Sequence, residues 1–362
     1  MQRSYPHRSA PWLLALTVGV GGFLGVVVHA SAQNSSELPS LSVPADLVRA
    51  LHLPGSGEEI RRPSALFTDE VHGEILVADS QGNRIVIFDR DGVYRYEFDC
   101  ADHVTSPVDL VVDSEGFIYV LGTTKAGRRI VRYDFDGAYL SEFALDGAGL
   151  DRIASLAIDS RDRLFAIDHA GFVHVITRQG ELERTIDVAA ALPEDSRQEL
   201  ILGHASVQGS RLMVPAATLG AILLFDTETG EAAGILGQPG NTVGQLNFPV
   251  AVAALGDDAI AVLDKMRFNI VCYSTADGRF LGEFGGKGMR DGWFYHPTLL
   301  ATSGANRVIV GQILDNRIQL CQVPQFVRTR LNEQPGHVPA EAGDEVRKME
   351  RADGAQAELL NP

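Results

Sequence analysis

The chain repeats one pattern of strands and turns six times, and this periodicity constrains its fold more than any other feature. The repeats begin near Pro63, Pro107, Ile153, His204, Pro249 and Pro297. They are therefore roughly 44–51 residues apart, a period typical of a solenoid or a β-propeller. A residue that recurs in every repeat has a structural role, so function is expected where the repeats differ.

Each repeat contains four short segments with the composition of β-strands. In the first repeat these are residues 64–69, 75–78, 84–89 and 94–98, which are rich in β-branched and aromatic side chains. Turns that end in glycine, such as Asp91-Gly92, supply the positive φ that hairpin connections need. Six units of four antiparallel strands predict an all-β fold, a six-bladed β-propeller.

The last repeat lacks its fourth strand, because no Asp-Gly turn follows Cys321. A segment with the missing strand's pattern, Leu47–Leu51, stands ahead of the first repeat. Its addition to the last blade would close the ring and remove two open sheet edges. The sequence therefore predicts a ring that is closed by an N-terminal strand.

The repeat resembles the NHL repeat, whose pattern is Pro-x-x-[Leu/Val]-x-x-Asp followed by Ile-x-Val-x-Asp-x-x-x-x-Arg-Ile. The segment from Pro63 to Gly92 fits this pattern best, and the third and fourth repeats are degenerate. The resemblance covers residues 46–326 and implies a six-bladed propeller. Such propellers include binding modules, lyases and hydrolases, so the fold alone does not name an activity. Similarity to NHL proteins that bacteria export in envelope assemblies implies a protein partner.

The first 32 residues have the pattern of a Sec-type signal peptide. Arg3 and Arg8 precede an apolar run from Trp12 to Val28, and Ala30-Ser-Ala32 supplies a small-residue cleavage site. The run is nearly long enough to span a bilayer, so an uncleaved anchor is the alternative. Either way the propeller is predicted to be exported, to the periplasm or the exterior. After cleavage no membrane insertion is expected.

These patterns predict four regions along the chain. They are a signal peptide at 1–32, a linker at 33–45, the NHL-type propeller at 46–326 and a polar tail at 327–362. The tail shows no strand pattern and too little apolar surface for a core, so it is expected to be disordered. The formal net charge of −16 argues against nucleic acid and anionic membranes as partners, and favours basic surfaces.

Three residues are candidates for ligand binding at one end of the central channel. Arg62, Arg152 and His296 stand directly before the first strands of repeats one, three and six. Because a guanidinium group matches carboxylates and phosphates, a small anionic ligand at the channel mouth is expected. The alternative is that each arginine pairs with acidic residues of its own blade. Those residues are Asp69, Asp79, Asp159 and Asp168.

The sequence predicts no catalytic residues, no metal site and no cofactor. Peptidyl-amidating lyases are propellers of similar repeats that hold zinc with three histidines, each directly after a repeat proline. The corresponding residues here are Ser64, Val108, Val250 and Thr298, which are not zinc ligands of that kind. His204 and His296 precede that position by one residue. No nucleophile elbow or glycine-rich phosphate loop occurs.

We therefore interpret the chain as an exported, non-catalytic module for protein interaction or ligand binding in a bacterial envelope assembly. A rigid ring offers two wide loop faces for such a role. The alternative is a hydrolase or lyase that acts at the channel mouth, similar to the lactonases or to the amidating lyases.

Overall fold

A computed structural model describes residues 42–55, 59–143, 152–197 and 199–332. These residues form six sheets of four antiparallel strands. The first strands of neighbouring sheets contact one another around a central channel. The predicted fold class, a six-bladed all-β propeller, is confirmed.

The strands follow one another in regular order from the channel outward. Blade 1 contains β2 (Pro63–Asp69), β3 (Glu74–Asp79), β4 (Arg84–Asp89) and β5 (Tyr94–Asp99); blade 2 contains β6 (Thr105–Val112), β7 (Ile118–Thr124), β8 (Gly127–Tyr133) and β9 (Tyr139–Phe143); blade 3 contains β10 (Ile153–Ile158), β11 (Leu164–Asp168), β12 (Phe172–Ile176) and β13 (Leu182–Asp187). Blade 4 contains β14 (Ser206–Gln208), β15 (Arg211–Ala216), β16 (Ala221–Asp226) and β17 (Ala232–Leu236); blade 5 contains β18 (Pro249–Leu255), β19 (Ala259–Asp264), β20 (Asn269–Ser274) and β21 (Phe280–Gly285); blade 6 contains β22 (Pro297–Ser303), β23 (Arg307–Gln312) and β24 (Arg317–Gln322).

The sixth blade is completed by the N-terminal strand β1 (Asp46–Ala50). It pairs antiparallel with β24, so that Asp46 lies opposite Gln322 and Ala50 lies opposite Gln319. The predicted closure of the ring is therefore confirmed. Because β1 comes from the other end of the propeller and pairs with β24, the edge of β24 is not left unpaired.

Within the described residues, short α-helices occur in two places outside the strands. Helix α1 (Glu194–Arg197) lies between blades 3 and 4, and helix α2 (Gln325–Asn332) follows the last strand. Single 3-10 turns cover Ala189–Ala191 and Ala217–Leu219. Within the described ranges, no helix combines the length and the apolar character that crossing a bilayer requires.

Helix α2 corrects the predicted start of the polar tail at residue 327. Val327 is buried in the core between blades 5 and 6, and the Arg330 guanidinium donates to the Leu281 carbonyl at 3.1 Å. The helix forms there because apolar side chains of its first turn reach the blade. Residues 333–362, the rest of the predicted tail, and residues 1–41, which include the predicted signal peptide, lie outside the described residues.

The hydrophobic core is divided among the six boundaries between blades. Each boundary contains one cluster of buried apolar side chains from both neighbouring blades. The cluster between blades 6 and 1, for example, joins Leu320 and Ile309 to Phe88 and Val77. Stability thus depends on packing between successive blades, as in other repeat architectures.

In blades 1 and 5 an aspartate at the end of the second strand, Asp79 or Asp264, ties together two loops at one end of the blade. The Asp79 carboxylate accepts hydrogen bonds from the backbone amides of Arg62 and Gly82, each at 3.0 Å. In blade 6 the side chain of Gln312 accepts from the Tyr295 amide in the same place. These repeated residues fix the loops around the channel, which is a structural role.

Candidate functional site

A bulge near the start of each inner strand defines one layer of residues around the channel. In blade 1, Pro63 lies opposite Asp79 and Ala65 lies opposite Ala78, so one extra residue is accommodated between them. The same shift occurs in blades 3, 5 and 6, and blade 2 has a longer one. We call the residues that follow the bulge the post-bulge layer. Its members are Ala65, Asp109, Ser155, His204, Ala251 and Leu299.

The register of blade 4 differs from the one expected from sequence. Leu202 bridges to Ala216, whereas Ser206 lies opposite Met213, so the segment between them also contains one extra residue. Leu202 therefore occupies the place of the repeat proline, and His204 occupies the post-bulge position. The predicted start of this repeat at His204 was two residues too late. The first strand of the other repeats was located by its proline in most cases, and this repeat has no proline at that position.

The post-bulge layer is polar in one half of the ring and apolar in the other. Blades 2, 3 and 4 contribute an aspartate, a serine and a histidine in succession. Blades 5, 6 and 1 contribute alanine, leucine and alanine. Because the side chains of the polar half differ in type from blade to blade, a functional site is expected in this half.

A cavity of about 470 Å³ occupies the channel next to this layer. Its volume lies within the range of ligand-binding pockets. The walls are formed mainly by apolar residues of the inner strands, among them Leu110, Leu156 and Val252. Asp109 and His204 lie in the wall. Because the turns after the inner strands also line the cavity, it opens toward the ends of these strands.

Asp109 is a buried carboxylate that neighbouring backbone amides hold in place. Its side chain retains only a few per cent of its accessible surface. Oδ1 accepts from the amide of Leu110 at 2.9 Å, and Oδ2 accepts from the amide of Leu156 in the next blade at 2.8 Å. Hydrogen bonds of this kind offset the cost of burying an ionised carboxylate. Asp109 therefore presents a fixed negative charge at the channel wall.

His204 faces this carboxylate from two blades away. Its Nδ1 lies 3.4 Å from Oδ2 of Asp109, and 35% of its side-chain surface is exposed. Its backbone is fixed to blade 5, because its amide donates to the Val250 carbonyl at 2.8 Å. Gly203 permits this approach, since a Cβ there would lie 2.3 Å from the Val250 oxygen. Both the backbone and one ring nitrogen of His204 are therefore positioned.

Electrostatics favour protonation of this histidine. Burial in the channel wall disfavours the charged imidazole, but the hydrogen bond and the charge of Asp109 outweigh burial and raise the pKa of His204 above its ordinary value. In the part of the chain that the structure describes, no residue forms a hydrogen bond with Nε2 of His204. With Nδ1 oriented by Asp109, Nε2 is free to exchange a proton with a molecule in the cavity.

The pair has the components of an acid–base group in an enzyme. A carboxylate that orients a histidine and stabilises its charged form is the arrangement found in hydrolytic triads. A metal ion is not required for proton transfer by such a pair. Among residues 42–55, 59–143, 152–197 and 199–332, no group of three or more histidine, cysteine, aspartate or glutamate side chains is arranged to hold a metal.

The residues predicted from sequence to bind a ligand lie at the other end of the channel. Arg62, Arg152 and His296 directly precede β2, β10 and β22, whereas the cavity extends toward the far ends of these strands. None of the three lines the cavity. Arg62 and Arg152 are exposed, and His296 packs edge-on against Tyr295 with ring centroids 4.5 Å apart. Their binding of an anion stays a prediction.

The alternative role of the two arginines, pairing with aspartates of their own blades, is not found among the described ion pairs. Asp79 pairs with Arg84 at 3.1 Å, and Asp159 pairs with Arg163 at 2.7 Å. Arg62 contacts Asp79 only through its backbone amide in the hydrogen bonds described. Asp69 and Asp168 lie beside His72 and His174 instead, so all four carboxylates have other partners.

Asp109 and His204 were missed as a pair by reasoning from the sequence. Asp109 interrupts an apolar strand, Val108-Asp-Leu-Val-Val112, which is the one signal that could have marked it. His204 was considered only as a zinc ligand, against a register that the structure corrects. Their proximity follows from the closing of the ring, which brings together inner strands that are far apart in sequence.

No protein-family model matches the chain, and no curated protein matches it either. Solved structures do resemble it. A streptogramin B lyase is 18% identical, over 76% of this chain and 87% of that one, with a TM-score of 0.51. Virginiamycin B lyase from Staphylococcus aureus is 14% identical over 76% and 99%, with a TM-score of 0.52. A catalytically inactive histidine-to-alanine variant of the Staphylococcus aureus enzyme, solved with quinupristin, is 18% identical over 75% and 87%, with a TM-score of 0.51.

At these identities the likeness shows a shared fold. Our interpretation of the chain as a non-catalytic interaction module is contradicted, because the three similar propellers named above are lyases. The alternative, a hydrolase or lyase in the channel, fits them better. The six-bladed propeller is established, whereas no matching family model supports the predicted NHL repeat.

Proposed function

We propose that the protein is a lyase whose active site is the channel cavity, with His204 as the acid–base group and Asp109 as its positioning residue. The observation that carries this proposal is the 3.4 Å approach of His204 Nδ1 to the buried Asp109 carboxylate in the cavity wall. The similar solved propellers support the same reaction class, since they are named as lyases and one is inactive after loss of a histidine.

A lyase of this kind breaks a bond by elimination, and the pair supplies the proton transfer that elimination needs. Nε2 of His204 takes a proton from a carbon next to a carbonyl group. The electron pair of that C–H bond forms a carbon–carbon double bond, and the bond from the next carbon to an oxygen or nitrogen breaks with its electrons. The leaving atom then receives a proton from the imidazolium. Asp109 stabilises the imidazolium in between.

The test is turnover of a cyclic ester peptide by the purified chain, with quinupristin as the first substrate. Elimination opens the ring without a change in mass, whereas hydrolysis adds one water, so mass spectrometry of the product separates the two reactions. We expect His204→Ala to lower kcat/KM by about 100-fold or more, because a positioned acid–base group contributes about that much.

The matched control is His169→Ala, which removes an exposed loop histidine outside the cavity. It should leave kcat/KM unchanged. The lyase proposal would be refuted if His204→Ala kept the wild-type kcat/KM, or if the product had gained the mass of one water.

Export remains part of the proposal. It is supported by the charge and apolar pattern of residues 1–32, so the enzyme would act in the periplasm or outside the cell. A protein partner also stays a proposal, supported by the exposed loops on both faces of the ring.

A further inference from the structure

The charged groups around the cavity are almost all acidic. Glu70 and Asp257 line it from the turns after β2 and β18, and Asp109 lies in its wall. Among the described residues that line the cavity, none is a lysine or an arginine. When His204 is protonated it balances Asp109, so the two turn carboxylates leave the cavity with negative charge in either protonation state of the histidine.

The turn carboxylates are built into the edge of the cavity. Oε1 of Glu70 accepts from the amide of Gly304 in blade 6 at 2.8 Å, which holds the Glu70 side chain across the boundary between two blades. The Asp257 backbone carbonyl accepts from Nε2 of Gln208 in blade 4 at 3.1 Å, which fixes the turn that carries Asp257. The two charges therefore come from anchored turns of blades 1 and 5, which are separated by blade 6.

The remaining walls offer little compensation for an anion. They are apolar over most of their area, formed by residues such as Leu66, Leu110, Leu156 and Val252. An anion that enters loses its hydration and meets no lysine or arginine among the described lining residues, and the charge of a protonated His204 is already balanced by Asp109, so its burial costs free energy. A cation is attracted by the carboxylates, and the low-dielectric walls strengthen that attraction.

We propose that the cavity selects apolar substrates that carry a positive charge, accepts uncharged ones more weakly and rejects carboxylates and phosphates. This inference takes the cavity to be the substrate site proposed above. It differs from the expectation of an anionic ligand, which concerns Arg62, Arg152 and His296 at the other end of the channel.

The test uses three probes with one skeleton and three charges. They are phenylalaninamide, which is cationic, N-acetylphenylalaninamide, which is neutral, and N-acetylphenylalanine, which is anionic. Binding is followed by the methyl NMR shifts of Leu110, Leu156 and Val252 in the full-length protein. We expect the cation to bind about tenfold or more tighter than the anion, with the neutral probe between them.

The double variant Glu70→Gln with Asp257→Asn should reduce the affinity of the cation to that of the neutral probe. Glutamine at residue 70 retains an oxygen for the Gly304 amide, so the turn is preserved. The control, Glu181→Gln with Glu231→Gln, changes the net charge equally at two exposed residues outside the cavity and should keep the preference.

Equal affinities for the three probes, tightest binding of the anion, or failure of the cation to shift the cavity methyls would overturn the inference. These binding results can be distinguished from the outcome of the lyase test. A charge preference that persists while His204→Ala keeps full activity would refute the lyase and leave the selectivity standing. Loss of activity in His204→Ala, together with equal affinities for the three probes, would support the lyase and refute the selectivity.

Discussion

The two halves of the post-bulge layer have the same backbone and opposite chemistry. Blades 5, 6 and 1 place Ala251, Leu299 and Ala65 there, and these side chains are buried. Blades 2, 3 and 4 place Asp109, Ser155 and His204 at equivalent positions of the same strands. Blade 2 reaches this layer through a longer bulge, but beyond the bulge the inner strands pair regularly with their second strands, so the difference within the layer lies in the side chains. The ring therefore supplies six equivalent positions, of which the apolar half is buried and the polar half contains the pair that we propose for proton transfer.

The largest effect on stability is expected in the apolar half. Leu299 is 2% exposed and packs beside Gly311, so Leu299→Ala should lower the free energy of unfolding by about 2 kcal/mol or more. Urea unfolding measures the change. The matched control is Leu314→Ala in the same blade, where the side chain is 70% exposed and the change should be under about 0.5 kcal/mol. Similar losses in the two variants would contradict a packing role for Leu299.

A change in pH dependence is expected in the polar half. Asp109 raises the pKa of His204, so Asp109→Asn should lower that pKa. A general base works when it is deprotonated, and the acid limb of kcat/KM should therefore move to lower pH in the variant. The rate at the plateau should fall as well, because the imidazolium loses its stabilising partner. If the acid limb of kcat/KM stayed at the same pH in Asp109→Asn, Asp109 would not act through His204.

The same pair makes stability depend on pH in a definite direction. The folded protein holds the His204 proton more tightly than the unfolded chain does. The stabilisation is thus complete below the unfolded pKa of about 6.5 and is lost as the pH rises through the higher folded value. Asp109→Asn should remove this dependence, and thermal melts across that pH range measure it. If the contribution of this pair, measured as the wild type minus the variant, increased with pH over this range, a raised pKa of His204 would be excluded.

The smallest effect is expected at the opposite end of the channel. Arg62 and Arg152 are exposed, and the second-strand aspartates at this end of their blades, Asp79 and Asp168, lie beside Arg84 and His174. The double change Arg62→Ala with Arg152→Ala should therefore shift the free energy of unfolding by under about 0.5 kcal/mol per residue. It should also leave kcat/KM in the cavity unchanged. If this end binds an anion, titration with inorganic phosphate will show a weaker affinity in the variant. If the double variant unfolded, the two arginines would be needed for the stability of their blades.

Prediction from the sequence succeeded where the repeats agree. The glycine turns and the strand compositions indicate four strands per blade, and the lone segment at residues 47–51 indicates the closing strand. It was less successful in blade 4, where Leu202 replaces the proline and shifts the register by two residues. It also placed the start of the tail at 327, although Val327 packs against blade 5 in the structure.

The sequence by itself determined the repeat, the number of blades and the strand that closes the ring, because each depends on local pattern and on a count of strands. Only the tertiary structure decided which side chains meet at the proposed site. Asp109 and His204 belong to different blades and meet because the ring curves their inner strands onto one channel, with the bulges setting which side chains share a layer. A distance between two residues so far apart in the chain depends on that curvature and register, which no short segment of sequence encodes.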